Sequence, residues 1–378
     1  MQVICPECGT KKYLSPHRWR CACGGAYEPV QPNFFTVNSS DPSLWRFYRM
    51  FGVDFKTPHV SMGNVCTPLL PVQIKDRKVN LKLEYISPTG SFKDRGTAVM
   101  INILANQGAR HVIDDSSGNA GASVAAYATR AGMTVDIFVP SYASPAKQSQ
   151  IAIYGVTIHP VPGPRAAAKQ AAFEAAVGEA VLASHAYHPG FLAGQQSVAW
   201  EIWEQLGGKV PDWYVVPVGQ GVHLLGAWLG FSMLKHLGLS RKVPRMIAVQ
   251  PKLLAPIKHA LALGLTEVPE VPVNQASIAE GLAIASPVRG KRILQAIRES
   301  HGDCVTVEEE QIQAAQQQAA QKGFYIEPTS AAAIAALDTV FQMARKDDCI
   351  VVPLTGSGLK GTPKAANPLA AGSNQSAA

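Results

Sequence analysis

A chain of 378 residues with 47% hydrophobic and 16% charged residues has room for two sizeable lobes and an appendage, and its composition excludes a disordered chain. No uncharged apolar run approaches the roughly 18 residues of a membrane span, and no basic stretch followed by an apolar core opens the sequence, so the expectation is a cytoplasmic protein with no membrane partner. The formal charge of +7 comes from scattered Lys and Arg rather than from a basic helix interleaved with aromatics; no nucleic-acid partner is expected, and anionic small molecules are.

The first 30 residues read as a separate unit. Cys5, Cys8, Cys21 and Cys23 lie there, while Cys66, Cys304 and Cys349 are isolated, a local thiolate cluster rather than a disulfide framework. A Cys-x2-Cys knuckle, a twelve-residue gap and a Cys-x-Cys knuckle resemble a zinc ribbon, in which a structural Zn²⁺ with four sulfurs organises a unit too small for a core. A terminal ribbon with thiols and no metal is the plainer alternative. Catalytic zinc is not expected, since all four ligand positions would be filled.

Residues 31 to about 75, rich in Pro and aromatics, read as an irregular wrap. A strand–helix alternation follows: VNLKLEY from residue 79 is a strand, PTGS a turn, and a helix runs from after Phe92 to about Gln107. HVIDDS (111–116) is a strand, then a helix over Ala120–Ala131, then the strand VDIFVP (135–140). Pro145 opens a helix at its first position, TIHPV is a short strand, and an Ala-rich run predicts a helix from about Arg165 to Leu182. A helix over Ser197–Leu206 carries Trp200 and Trp203 on one face, a core signature. WYVVPV (213–218), a helix from about Leu224 and RMIAVQ (245–250) continue the pattern. Helices near 309–322, opened by the acidic Glu308, Glu309 and Glu310, and over Ser330–Arg345 lead to the strand CIVVPL (349–354). Apolar strands alternating with helices argue for an α/β fold of two lobes, with parallel-rich twisted sheets covered by helices. The expected large lobe is residues 31–95 with 190–361, the small mobile lobe residues 96–189, and residues 362–378 a disordered tail.

Four segments carry chemistry. Ser87-Pro88-Thr89-Gly90-Ser91-Phe92-Lys93-Asp94-Arg95-Gly96 places Lys93 at a helix start, where the positive pole and burial both favour a neutral, nucleophilic amine. Ser116-Ser117-Gly118-Asn119-Ala120-Gly121 joins a strand to a helix, so its amide groups suit a carboxylate and Asn119 suits a ring hydroxyl. Val218-Gly219-Gln220-Gly221-Val222-His223-Leu224 follows an apolar strand with glycines that let N–H groups converge on a phosphate. Leu354-Thr355-Gly356-Ser357-Gly358-Leu359-Lys360-Gly361 ends the last strand at Thr355. It also spells the dinucleotide pattern G-x-G-x-x-G, but Thr362-Pro363 follows and no acidic residue comes after, so a dehydrogenase is disfavoured.

Together these strings resemble the threonine synthase branch of the fold-type II enzymes, which depend on pyridoxal 5′-phosphate (PLP), over roughly residues 60–361. Gly323-Phe324-Tyr325-Ile326-Glu327-Pro328-Thr329-Ser330-Ala331 resembles a further segment of that family, and the Cys-rich start resembles the extension of its archaeal-type members. The resemblance implies PLP as cofactor, a Schiff base on Lys93, which also shuttles protons, Asn119 at the pyridine 3′-oxygen and Thr355 at the pyridine nitrogen. It implies that the backbone of Gly219, Gln220, Gly221, Val222 and His223 holds the cofactor phosphate and that Ser91, Ser117 and Gly118 receive the substrate. A homodimer is implied as well. The stretch in which threonine synthases hold the substrate phosphate corresponds here to His185-Ala186-Tyr187-His188-Pro189-Gly190-Phe191, with Phe191 at an Arg position and Ala186 at a Ser position, a loss of charge recognition. His185, His188 and Phe191 are then pocket residues, and His185, His188, Arg165 or Lys169 are candidates for a different anion site.

The function expected is elimination or replacement at the β or γ carbon of a small amino acid, with threonine formation from O-phosphohomoserine as the named form. A serine/threonine dehydratase or a β-replacement enzyme on a differently activated amino acid is the rival, and a non-catalytic regulatory protein of the same fold is the reading from another class.

Overall fold

The computed structural model describes residues 1–361 apart from residues 54, 56, 57, 144, 273 and 274; the tail expected to be disordered, residues 362–378, lies outside the described residues. Strands β1 (Gln2–Ile4), β2 (Lys11–Tyr13) and β3 (Glu28–Pro29) form a small antiparallel sheet in the order β2-β1-β3. Beyond it the expected irregular wrap contains regular structure. A 3-10 segment, Leu44–Phe51, lays Phe47 and Phe51 against the Trp200 ring at centroid distances of 5.3 and 5.8 Å. β4 (Leu69–Ile74) and β5 (Arg77–Lys82) then make an antiparallel hairpin that turns at Lys75, φ 55. Pro71 is tolerated because β4 is an edge strand.

The next stretch builds a four-stranded parallel sheet. α1 (Lys93–Asn106) leads to β6 (His111–Asp114), α2 (Asn119–Arg130), β7 (Thr134–Pro140), α3 (Pro145–Ala152), β8 (Thr157–Val161), α4 (Arg165–Ala175) and β9 (Ala180–Leu182). The strand order is β8-β7-β6-β9. The helix expected from Arg165 to Leu182 is thus corrected. It stops at Ala175, Gly178 takes a left-handed φ of 63, and the last three residues pair with β6. Gly is the residue that turns most cheaply there, so the apolar Ala-Val-Leu behind it starts a new element.

The chain then completes the sheet begun by β4 and β5. α5 (Pro189–Gln195) and α6 (Ser197–Gln205) precede β10 (Trp213–Pro217), followed by α7 (Val222–His236), β11 (Arg245–Pro251), α8 (Pro256–Ala262), α9 (Gly290–Glu299), β12 (Asp303–Val307), α10 (Glu309–Gln321), α11 (Pro328–Ala335), α12 (Leu337–Met343) and β13 (Ile350–Pro353). The order is β12-β11-β10-β13-β5-β4, parallel except for β4. Every residue of β10 and β13 is buried, as a central parallel strand covered on both faces requires. The single helix expected over Ser330–Arg345 is two, beginning at Pro328 in the first turn.

Two sets of buried charges hold the site in place. Arg95 donates to both carboxylates of a pair: Nε to Glu84 at 2.6 Å, Nη1 to Glu201 at 2.6 Å, and Nη2 to Glu84 at 2.8 Å and Glu201 at 2.7 Å. Lys82, fully enclosed, reaches Glu201 at 2.7 Å and the Thr67 carbonyl at 2.6 Å. Two cations and two anions therefore cancel in the dry interior, each fully hydrogen-bonded, the condition under which buried ions are tolerated. Separately, the buried Arg289 donates to the carbonyls of Ala26 and Tyr27 on one side and of Ala186 and Tyr187 on the other, at 3.2, 2.8, 3.1 and 2.9 Å. It clasps the N-terminal sheet to the segment before α5.

Candidate active site

Lys93 is the first residue of α1. Gly90, at φ 76, makes the preceding turn, and the Asp94 carboxylate accepts from the Thr89 N–H, the Thr89 hydroxyl and the Ser123 hydroxyl, each at 2.6 Å. The final strand's exit is stitched to this turn. The Phe92 N–H donates to the Thr355 carbonyl and the Ser357 N–H to the Gly90 carbonyl, both at 2.9 Å, and Ser91 bridges Gly356. Burial, and next the charge of Arg165, bring the Lys93 amine down to about 8, while Glu327 and Asp114 pull the other way.

Asn119 opens α2 and donates from Nδ2 to both Glu327 oxygens, at 3.2 and 2.9 Å. A side chain at Gly356 would bring its Cβ within 2.3 Å of the Glu327 carboxyl, so only glycine lets this acid lie along the chain there. The buried Thr355 hydroxyl shares a 2.9 Å hydrogen bond with Ser330, whose Oγ also accepts from the Gly356 N–H.

Gly219 and Gly221 are required as glycines for different reasons. A Cβ on Gly219 would meet the Gly281 carbonyl at 2.5 Å, and Gly221 caps α7 at φ 73. Gln220 accepts the Val288 N–H at 3.1 Å, and Val222 begins α7. His223 is spoken for by its neighbours. Gln195 gives its Nε2 to the Phe92 carbonyl, so its Oε1 accepts from His223 Nδ1 at 3.1 Å, leaving Nε2 to accept the Tyr214 hydroxyl at 2.9 Å. Burial pushes this imidazole down to about 3, so the neutral tautomer is set by its partners. What the 219–223 segment offers outward is its backbone, at the positive end of a 15-residue helix.

Ser117 and Gly118 are half-exposed at the start of α2. Four buried polar atoms around the site lack a partner among the described residues: Ser91 Oγ, Asp114 Oδ1, His185 Nδ1 and His188 Nε2. His188 Nδ1 accepts the Gly190 N–H at 3.1 Å, capping α5. Burial keeps both imidazoles neutral, His188 at about 3 with Arg289 nearby and His185 well below its ordinary value with Lys93 and Arg165 nearby. Phe191 is different. It is fully enclosed with its ring face under Gly96, where a Cβ would lie 2.6 Å away. The expected substrate contact is thus a core residue between α5 and α1.

Unsatisfied buried polar atoms are rare in folded proteins; Ser91 lies two residues from Lys93, and Asp114 and His185 interact with its charge, so their orphaned atoms fit a polar, covalently attached cofactor such as PLP. The N-terminal unit passes a similar test for metal. The thiol sulfurs of Cys5, Cys8, Cys21 and Cys23 all lie within 4.8 Å of one another, with Cys5–Cys23 at 3.5 Å and Cys8–Cys21 at 3.6 Å. Tetrahedral Zn²⁺ with bonds of about 2.3 Å puts its sulfurs about 3.8 Å apart. Sequence reading missed Glu327 and Ser330 as site residues although it singled out their segment, and it missed the Arg95 network altogether.

Residues 60–356 match the model of a pyridoxal-phosphate dependent enzyme family. The chain is 30% identical, over 94% of its length and 91% of the relative, to threonine synthase of Methanosarcina acetivorans. It is 33% identical, over 88% of its length and 90% of the relative, to threonine synthase of Synechocystis sp.. Among solved structures, a threonine deaminase from T.th. aligns with a TM-score of 0.67 at 25% identity, covering 79% of this chain and 94% of that one. Maize serine racemase aligns with a TM-score of 0.67 at 24% identity, covering 78% and 88%. With a family match spanning the stretch from the β4–β5 hairpin through Lys93 to Gly356, the chain belongs to the pyridoxal-phosphate-dependent enzymes and is a threonine synthase-like lyase.

Proposed function

We propose that Lys93 carries PLP and that the enzyme eliminates or replaces a group at the β or γ carbon of a small amino acid, with O-phosphohomoserine as the first substrate to test. The observation that carries this reading is a half-buried lysine whose amine burial brings down to about 8, together with the orphaned polar atoms of Ser91, Asp114 and His185. PLP supplies an electron sink for bonds at the substrate's α carbon. Lys93 Nζ takes and returns the proton at that carbon. Asn119, held by Glu327, faces the ring oxygen, and Thr355, backed by Ser330, offers the ring nitrogen a neutral hydroxyl. The amides of residues 219–223 hold the cofactor phosphate, and Ser91, Ser117 and Gly118 receive the α-carboxylate at the start of α2.

The same reading assigns a structural Zn²⁺ to Cys5, Cys8, Cys21 and Cys23, two lobes divided as residues 31–95 with 190–361 and residues 96–189, a homodimer, and a cytoplasmic location. The test is phosphate release from O-phosphohomoserine by the holoenzyme. Turnover with threonine as product upholds the reading. Release of a 2-oxo acid from serine or threonine, with O-phosphohomoserine inert, replaces it with the dehydratase, with which the core position of Phe191 and the likeness to a threonine deaminase are consistent.

A further inference from the structure

We propose that Arg165, working with His185, is the specificity-determining site for an anionic group on the far end of the substrate. This rests on the reading of the chain as a PLP enzyme of amino acids. The position at which the resemblance expects an arginine for the substrate phosphate holds Phe191, enclosed beneath Gly96, and the neighbouring Ala186 has no side-chain donor. Nothing at those two positions can receive an anion.

A cation enters from the other side. Arg165 begins α4, immediately after β8, at the sheet edge where β6 hands over to Ser116–Asn119. Arg165, Lys169 and Phe173 are spaced four apart and share one face of α4. That face covers the segment before α5: Lys169 Nζ lies 5.2 Å from the Tyr187 ring, and the Phe173 ring 5.4 Å from it. Arg165 therefore stands one turn before Lys169 on a face already packed on the His185–His188 segment. Its charge is felt at Lys93, Asp114 and His185.

Two features mark this as a ligand site rather than a surface charge. Among the described residues, the half-buried Arg165 side chain makes no hydrogen bond or ion pair, and its guanidinium is a rigid fork suited to a tetrahedral oxyanion. His185, only 5% exposed, keeps Nδ1 without a partner. Two of the acids nearby are already engaged. Glu327 is held by Asn119, and burial together with Asp115 raises the Asp114 carboxyl to about 8, which leaves it mainly protonated at neutral pH.

The experiment measures binding to holoenzyme by calorimetry, using an α-amino acid with a terminal phosphonate, its uncharged chain-length match norvaline, and inorganic phosphate. Wild type is expected to prefer the phosphonate. Arg165→Gln should weaken it by about 10- to 100-fold, the range for a charge-assisted pair, with norvaline unchanged, and Arg165→Lys should recover part of the loss. His185→Gln should cost less, roughly fivefold on the scale of a neutral hydrogen bond. A phosphonate affinity within about twofold of wild type in Arg165→Gln, or an equal loss for both amino acids, overturns the proposal. If neither amino acid binds wild type, phosphate decides. Arg165-dependent binding of phosphate keeps the anion site while the amino-acid reading falls, and Arg165-independent binding removes both.

Discussion

The amine of Lys93 sets a quantitative expectation for cofactor capture. An amine at about 8 is about 10% neutral at pH 7, whereas one at its ordinary value of 10.5 is about 0.03% neutral, a gain of roughly 300-fold in the nucleophilic form. Glu327 works against that gain, because a carboxylate favours the charged amine. Replacing Glu327 with Gln should therefore move the amine further down and raise the neutral fraction at pH 7. The assay mixes apoenzyme with PLP from pH 6 to 10 and follows the absorbance change of covalent capture. In wild type the rate should climb with pH and level off above about 8, and in Glu327→Gln the whole profile should shift to lower pH. An inflection near 10.5 in wild type would refute the role given to burial, and an upward shift in Glu327→Gln would refute the sign given to the carboxylate.

Two further outcomes are expected. Arg95→Met should destabilise the fold by about 3–5 kcal/mol in urea titrations, as removal of one partner from a buried ion cluster does. The Glu201 carboxyl held at about 2 instead of 4.5 alone corresponds to about 3 kcal/mol. Since that carboxyl is depressed, its contribution is present above about 4.5 and disappears as pH falls toward 2, so the gap between variant and wild type should narrow in acid. Purified chain should carry one zinc by elemental analysis, and Cys8→Ser with Cys23→Ser should abolish that stoichiometry while the far-UV spectrum of the body stays unchanged.

The strands and helices that carry the site were legible because each motif sits where an apolar run meets Gly, Ser or Asn, a junction with a local cause. Lys93, Asn119 and the 219–223 turn stand out in the sequence that way, and the structure places each at a helix start. Glu327 and Ser330 were not, because their chemistry depends on partners 208 and 25 positions away, at Asn119 and Thr355. The Arg95 network, assembled from Thr67, Lys82, Glu84 and Glu201, escaped for the same reason: charges spread along a sequence look like solvated surface until the fold brings them together. The orientation of Phe191 is not legible from its place beside a ligand position, because it depends on Gly96 opposite, which leaves space for the ring. The overlong helix at Arg165–Leu182 came from reading an alanine run as uniform, when Gly178 divides it.

Arg289 has a consequence for how the N-terminal unit is attached. Among the described residues its guanidinium donates to four backbone carbonyls, two from residues 26–27 and two from residues 186–187. Removing the first 30 residues would take away half of those acceptors and open the guanidinium to water in their place. The appendage and the arginine are thus mechanically coupled: a neutral residue at position 289 should loosen the N-terminal sheet from the segment before α5 without touching the cysteines.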